Sequence, residues 1–209
     1  MKQLLLATHN HHKACEIRSL LRDLELEILT LDRFPQVGGI VEDADSLEGN
    51  AVKKAHAVFR LTGLPCLADD TGLEVYYLNN EPGVYSSRYA GQGATYADNC
   101  KKLLERLRGV PPRRRAARFR CVFAFVAQGS VEALAEGICP GVIMEIPRGD
   151  RGFGFDPLFR PTGFKETFAE MDPTVKNKVS HRAKAAQNMR MALRNYFQKY
   201  GDRPLTLIS

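Results

Sequence analysis

Apolar runs typical of β-strands alternate with amphipathic helical segments along the sequence. This alternation restricts the possible folds more than any other feature of the sequence. It predicts an α/β architecture, because no internal repeat or low-complexity linker interrupts it. At 209 residues the chain is long enough to bury a core and short enough to form a single domain over residues 1–209. The predicted strands are residues 2–7, 64–68, 72–78, 118–127, 131–138 and 142–146, and the predicted helices are residues 14–24, 46–63, 95–108 and 181–199.

Composition is typical of a soluble globular protein, with 44% hydrophobic and 26% charged residues. The apolar stretch nearest the N-terminus, residues 4–7, is far shorter than the roughly 20 residues of a membrane span, and no secretory leader is expected. Five cysteines without a CxxC pair argue against a disulfide framework and against a zinc knuckle. These features predict a cytoplasmic protein with reduced thiols and no membrane partner.

The net charge of +6 is concentrated in one segment of the chain. Residues 111–120 hold five arginines and no acidic residue, so little positive excess is left for the rest. Arginines interleaved with Phe119 are compatible with a nucleic-acid-binding module that uses the patch from Arg113 to Arg120. A solvated loop or a subunit contact is the favoured explanation, so nucleic acid is an unfavoured partner.

The loop between the first predicted strand and helix is a candidate anion site. Thr8, His9 and Asn10 precede a helix start, where free backbone N–H groups and the helix dipole favour an anion. Lys13 lies in the first turn, where a cation opposes the dipole by about 0.3–1 kcal/mol unless a phosphate offsets it. If only this loop is considered, the simpler alternative is that Lys13 is solvated and binds no phosphate. The histidines of residues 9–12 do not favour a metal site, because adjacent side chains diverge at a helix start.

Two groups of carboxylates are candidates for a metal site. Asp69 and Asp70 follow an apolar strand, at the edge where open α/β sheets face a ligand crevice. Since consecutive strand residues point to opposite faces, we expect only one of the two to reach a given cleft. One carboxylate from this pair and one from the acidic segment 42–45 would supply the oxygen ligands that Mg²⁺ prefers. Taken alone, the segment 42–45 is better explained as a solvated loop.

Two further segments carry candidate nucleotide-binding groups. Lys176 precedes Ser180, and His181 and Arg182 open the helix that Ser180 caps, where positive charge favours a bound anion. Surface ion pairs are the alternative there. Residues 151–157 alternate glycine with aromatic residues, which lets backbone approach a flat ligand and offers a stacking face. A plain glycine-rich turn is the alternative for this segment.

Six ordered blocks of the sequence resemble the motifs of the inosine triphosphate pyrophosphatase family, which removes non-standard purine nucleoside triphosphates from the nucleotide pool. The blocks are residues 8–13, 42–50 with Lys54 and Ala55, 67–75, 82–91, 152–157 and 180–182. Together they span almost the whole chain. The resemblance implies a mixed central sheet flanked by helices, two lobes around a nucleotide cleft, Mg²⁺ as cofactor and a homodimer to which residues 85–89 contribute.

The resemblance also implies a role for each candidate residue. The family cleaves between the α and β phosphates, so ITP, dITP or XTP would give a nucleoside monophosphate and pyrophosphate. Glu42 and Asp70 would hold the metal, and Asp70 would activate the attacking water as general base. The residues implied to bind substrate are Thr8, His9, Asn10, Lys13, Thr71, Phe153, Gly154, Phe155, Asp156, Lys176, His181 and Arg182.

Four positions depart from the family's pattern: His9 replaces a glycine, Gly49 a glutamate, Thr71 a serine and Phe155 a tyrosine. His9 narrows the backbone freedom of the phosphate loop, because it lacks the conformational range of glycine. Gly49 removes a possible second acid near the metal. A phosphohydrolase for modified pyrimidine nucleotides is the remaining enzymatic alternative, which a substrate panel separates.

Overall fold

The computed structural model describes residues 2–201 and confirms a mixed α/β fold. The α-helices are α1 (His11–Leu21), α2 (Leu47–Thr62), α3 (Tyr96–Arg106), α4 (Pro173–Val179) and α5 (His181–Tyr200). The strands are β1 (Gln3–Leu6), β2 (Glu27–Thr30), β3 (Cys66–Val75), β4 (Pro82–Gly83), β5 (Ala116–Ala127), β6 (Ser130–Ile143) and β7 (Phe159–Pro161). Within the described range, no helix combines the length and apolarity that crossing a membrane requires.

The strands form one mixed sheet in the order β2-β1-β3-β5-β6-β7, and β4 pairs with β3. β1 is parallel to β2 and β3, whereas β7 is antiparallel to β6. The register of β1 and β3 pairs Leu5 with Cys66 and Leu6 with Leu67. Just beyond this pairing, the Ala7 N–H donates to Leu67 O at 2.9 Å. The parallel pairing therefore ends two residues before Asp69.

The chain divides into two compact units. Unit 1 comprises Met1–Asp70, Cys121–Gly137 and Lys184–Ser209, and unit 2 comprises Thr71–Arg120 and Ile138–Ala183. Strands β3, β5 and β6 contribute residues to both units. The candidate site residues up to Asp70 therefore belong to unit 1, and those from Thr71 onward belong to unit 2.

The core of unit 1 follows the predicted helical periodicity. In α1 the side chains of Ala14, Ile17 and Leu21 are buried, as the apolar spacing predicts. Helix α2 begins where predicted, because Ser46 Oγ accepts a hydrogen bond from the Gly49 N–H. It ends at residue 63, a glycine in the left-handed conformation that commonly terminates helices. Local sequence signals thus fix both helices of this unit that precede the acidic residues of β3.

The core of unit 2 is rich in aromatic side chains. The rings of Phe119 and Phe159 lie 4.7 Å apart at a steep angle, and Phe168 packs 5.1 Å from Phe159. His181 stacks on Phe119 at 4.6 Å. Such aromatic pairs contribute about 0.5–1.5 kcal/mol beyond the burial of their surface. The cluster therefore fixes the start of α5 firmly within this unit.

The prediction of a strand end at Asp69 and Asp70 is wrong, because β3 runs without a break from Cys66 to Val75. In the sequence the two acidic residues interrupt the apolar run, as residues beyond the end of a strand would. In the structure their charges are balanced by lysines, which allows both carboxylates to lie inside a buried strand. The predicted separate strand at residues 72–78 is the second half of β3 followed by a 3₁₀ turn.

The predicted break between residues 138 and 142 is also wrong, because β6 is continuous. Gly141 is required there, since a Cβ would lie 2.5 Å from the Phe159 ring and from Arg160 O on β7. The glycine therefore allows β7 to pack closely against β6. The elements β2, β4, β7 and α4 were not predicted, because each is short and lacks a clear periodicity.

Candidate functional site

In unit 1, the predicted anion loop is a helix start organised by its own polar side chains. Asn10 caps α1, with its Oδ1 accepting from the Lys13 N–H at 3.2 Å. Thr8 Oγ1 accepts from the Asn10 N–H at 3.1 Å. His9 is exposed, and its Nε2 lies 3.3 Å from Gly38 O. The loop thus places Thr8 and Asn10 at the N-terminus of α1, where the helix dipole favours an anion.

Consecutive residues of β3 pair with lysines from different helices. Asp69 Oδ2 lies 3.0 Å from the Nζ of Lys13 on α1. Asp70 Oδ1 accepts from the Nζ of Lys54 on α2 at 3.0 Å. This arrangement follows from the alternation of strand side chains between the two faces of a sheet. The two carboxylates are thus paired with different lysines.

Lys54 is the centre of the acidic cluster, and the sequence reasoning gave it no role. Its side chain is buried, and Nζ also donates to Glu42 Oε1 at 2.8 Å. The sequence does carry a sign of its importance: Lys54 falls on the apolar face of α2, beside the buried Ala51 and Ala55. A lysine is almost never fully buried without a charged partner. Its place in that stripe therefore predicts an acidic neighbour.

The cluster shifts the proton affinities of its members. Burial raises the pKa of Asp70, while the charges of Lys54 and Lys13 oppose that rise. Burial alone would lower the pKa of Lys54, but the charges of Asp70, Asp69 and Glu42 together raise it. Lys54 therefore stays a cation. Asp70 is a stronger base than an exposed aspartate, which suits a group that accepts a proton from water.

The carboxylates of Glu42 and Asp70 fit a divalent metal. Asp70 Oδ2 is buried and has no hydrogen-bond partner within residues 2–201, so this oxygen is available as a ligand. Glu42 is partly exposed, so one face of its carboxylate is accessible to solvent. Mg²⁺ is commonly held by one or two carboxylates together with substrate phosphates and water. Within the described residues, no group of three or more His, Cys, Asp or Glu side chains is placed to hold a metal.

In unit 2, Asp156 and Lys176 form a buried ion pair. Lys176 Nζ donates to Asp156 Oδ2 at 2.6 Å, and the Phe153 N–H donates to the same oxygen at 2.9 Å. Gly152 has a φ of 74°, and a Cβ there would collide with the Asp156 carboxylate. The glycine of this segment is thus needed so that the loop can wrap around Asp156.

The start of α5 brings the remaining predicted cations into unit 2. Ser180 Oγ accepts from the Ala183 N–H at 3.1 Å, which confirms Ser180 as the cap. Arg182 is only 1% exposed, and its guanidinium donates to Thr71 Oγ1 at 3.1 Å. The guanidinium also lies 5.6 Å from the centre of the Phe153 ring. The structure therefore groups Thr71, Phe153 and Arg182.

The two phenylalanines of the glycine-aromatic segment have different surroundings. Phe153 is half-buried, and Lys176 Nζ lies 5.2 Å from its ring centre. Phe155 is 3% exposed and belongs to the apolar core of unit 2. Gly154, between them, accepts from the Cys100 thiol through its backbone carbonyl. Phe153 is therefore the ring of this segment that stays accessible, while the ring of Phe155 packs inward.

The arginine-rich segment is largely occupied by contacts within unit 2. Arg115 is buried and donates to the backbone carbonyls of Leu107 at 2.8 Å and Val110 at 2.9 Å. Arg118 and Arg120 both donate to the carboxylate of Glu74. Arg114 also lies over the Tyr77 ring, 4.6 Å from its centre, so four of the five arginines have structural partners. These contacts do not favour a nucleic-acid-binding surface along the segment.

The chain is similar to known proteins over most of its length. A sequence model described as the Ham1 family matches residues 4–192. A protein named dITP/XTP pyrophosphatase from Desulfotalea psychrophila is 45% identical over 87% of this chain and 81% of its own length. Another protein of that name, from Porphyromonas gingivalis, is 46% identical over 91% of this chain and 96% of its own. A solved HAM1 protein from Coxiella burnetii covers 93% of this chain and all of its own, with 40% identity and a TM-score of 0.84.

Proposed function

The chain belongs to the Ham1 family, and we propose that it hydrolyses the non-standard purine nucleoside triphosphates ITP, dITP and XTP to the monophosphate and pyrophosphate. The observation that supports this most is the similarity of almost the whole chain to proteins named dITP/XTP pyrophosphatase. Such an enzyme cleanses the nucleotide pool. It acts by positioning water and stabilising phosphate charge rather than through a covalent intermediate.

In this proposal the unit 1 cluster performs the chemistry. Thr8, His9, Asn10 and Lys13 hold the triphosphate at the N-terminus of α1, where backbone N–H groups and the dipole attract it. Asp70 takes a proton from the attacking water as the general base of the reaction.

Glu42 and Asp70 hold a divalent metal, Mg²⁺ in the proposal. Bound there, Mg²⁺ supplies positive charge to the phosphate oxygens and lowers the pKa of water. The buried Oδ2 of Asp70 supports this placement, because the protein residues described leave it without a hydrogen-bond donor. The charge of Lys54 holds the carboxylates of both Glu42 and Asp70, the two residues that would bind the metal.

The unit 2 cluster contacts the nucleoside in this proposal. Phe153 offers an aromatic face to the purine, and Arg182 and Lys176 supply positive charge. The residues assigned to substrate binding in unit 2 are Thr71, Phe153, Gly154, Phe155, Asp156, Lys176, His181 and Arg182. Hypoxanthine and xanthine present a 6-oxo acceptor beside an N1–H donor, whereas adenine presents the reverse. A site built for the first pattern leaves polar groups unpaired with ATP, which can reject an analogue by about 10⁴-fold.

The proposal also covers the domain organisation, the cellular location and the oligomeric state of the enzyme. It acts as one domain over residues 1–209, in the cytoplasm, as a homodimer. The exposed Tyr85, with Arg88 5.2 Å from its ring centre, supports a role of this segment in a subunit contact. Tyrosine and arginine are enriched at protein interfaces.

The test is product analysis with purified protein and Mg²⁺ on a panel of ITP, dITP, XTP, ATP, GTP and modified pyrimidine triphosphates. We expect pyrophosphate from the first three and little turnover of ATP. Asp70→Asn should abolish turnover, whereas Asp43→Asn should retain it, because Asp43 is an exposed acid of the segment 42–45 that pairs with Lys53 at the surface. Release of orthophosphate alone, or equal hydrolysis of the standard triphosphates, would disprove the assignment.

A further inference from the structure

The acidic segment 42–45, hereafter the acidic loop, is fixed to α2 by a side chain that has no assigned role. Asn50 lies in the first turns of α2 and is completely buried. Its Oδ1 accepts a hydrogen bond from the backbone N–H of Ala44 at 2.9 Å. The Ala44 amide is two residues from Glu42. Asn50 therefore controls the backbone that carries one of the two proposed metal ligands.

A second contact brings the same backbone close to the helix. Gly49 faces Ala44, and a Cβ at position 49 would lie 2.8 Å from the Ala44 Cβ. Real Cβ atoms are essentially never that close to a neighbouring atom, so any larger residue at this position displaces the loop. Glycine inside a helix costs about 1 kcal/mol relative to alanine. Helix stability does not explain Gly49, whereas the close approach of Ala44 does.

The other end of the Asn50 amide adds no hydrogen bond to the helix. Asn50 Nδ2 is buried and has no hydrogen-bond partner within the described part of the chain. An unpaired buried donor lowers stability. One turn further along α2, Lys54 lies between Glu42 and Asp70.

We propose that Asn50 is a positioning residue, which acts with Gly49 to hold the acidic loop so that the Glu42 carboxylate stays beside Lys54 and Asp70. The inference rests on the proposed function, because it assigns Glu42 to metal binding. Asn50 itself touches neither metal nor substrate in this role. Its effect on Glu42 passes through the Ala44 backbone.

The test uses the full chain and two measurements that do not depend on turnover. The first is hydrogen exchange of the Ala44 amide by NMR, and the second is Mg²⁺ binding by calorimetry in the absence of nucleotide. In Asn50→Ala, we expect the Ala44 amide to exchange about tenfold faster and Mg²⁺ to bind about tenfold more weakly. In steady-state assays, half-maximal activity should require correspondingly more Mg²⁺.

Two further variants separate positioning from folding. Gly49→Ala should favour the helix and yet weaken Mg²⁺ binding, because the new methyl group displaces Ala44. Asn50→Asp should restore protection of the Ala44 amide, because a carboxylate oxygen still accepts its hydrogen bond. These variants keep the inference testable if Asn50→Ala does not fold.

Ser46→Ala is the matched control. Ser46 caps the same helix through the Gly49 N–H and makes no hydrogen bond to the Ala44 amide, so its loss removes about 1 kcal/mol of helix stability. Unchanged Ala44 exchange and Mg²⁺ binding in Asn50→Ala and Gly49→Ala would overturn the inference. Equal effects in Ser46→Ala would also overturn it. Failure of the wild-type protein to hydrolyse dITP would refute the proposed function, and the exchange data would still decide the role of Asn50 in holding the loop.

Discussion

Replacing Lys54 by methionine removes the cation around which the acidic cluster is built, while leaving a side chain of similar length. Lys54 Nζ lies 3.0 Å from Asp70 Oδ1 and 2.8 Å from Glu42 Oε1. At such distances two unit charges attract by about 5–6 kcal/mol at an effective dielectric constant of about 20. Desolvation offsets part of this attraction, and removing one partner of a buried pair typically costs about 3–5 kcal/mol. We therefore expect Lys54→Met to lose about 3–5 kcal/mol of unfolding free energy at pH 8.

The loss of unfolding free energy in Lys54→Met should depend on pH, and the shift of the Asp70 pKa determines in which direction. Burial raises the pKa of Asp70 in the folded protein, so ionising this group costs stability as pH rises through that pKa. The positive charge of Lys54 opposes the rise, so removing Lys54 raises the Asp70 pKa further. Below the new pKa the carboxyl is protonated and needs no cation. The difference between Lys54→Met and wild type should therefore be smaller at pH 5 than at pH 8.

Urea unfolding at the two pH values measures this difference. At pH 8 the thermal midpoint should fall by about 6–20 °C, since each kcal/mol shifts it by about 2–4 °C in a chain of this size. Lys53→Met is the control, because Lys53 pairs with Asp43 at the surface and both side chains are more than half exposed. Exposed pairs contribute about 0–1 kcal/mol. Equal losses in the two variants, or a Lys54→Met loss that does not change with pH, would refute the electrostatic account of the cluster.

Three further predictions concern other parts of the molecule. In the metal-free protein, NMR titration of the Asp70 carboxyl should give a pKa above its usual range, and Lys13→Met should raise that pKa further, because the Lys13 charge lowers the Asp70 pKa. Arg115→Met should lower the unfolding free energy in urea by about 3 kcal/mol, because buried backbone carbonyls lose their donor. Gly149→Ala should destabilise more than Gly129→Ala in thermal unfolding: both have positive φ, but only the first Cβ would collide with another backbone segment.

The sequence predicted those elements whose ends are determined locally. Ser46 and Thr95 were identifiable as caps because a hydroxyl at that position satisfies a free backbone N–H, and the structure contains both hydrogen bonds. Strand β5 was identifiable because its residues are apolar over most of its length. These features depend only on neighbours along the chain.

The elements that were not predicted depend on distant parts of the chain. β3 continues through Asp69 and Asp70 only because Lys13 and Lys54 arrive from two helices. β6 carries Gly141 inside a continuous strand because the paired strand β7 lies so close there that a Cβ would collide with it. Neither dependence is visible in a window of ten or twenty residues. The resemblance identified the blocks that contain these residues, but not the contacts that join them.

The acidic cluster couples the fold of unit 1 to its proposed chemistry. A buried carboxylate is a strong base only if it is poorly solvated, and poor solvation also makes its charge costly to bury. Lys54 limits that cost without abolishing the effect, because the pKa of Asp70 remains raised in its presence. A divalent metal bound to the same carboxylates would relieve the cost further, so Mg²⁺ should stabilise the folded chain even without substrate. The stability of unit 1 and the basicity of Asp70 are thus set by the same few charges.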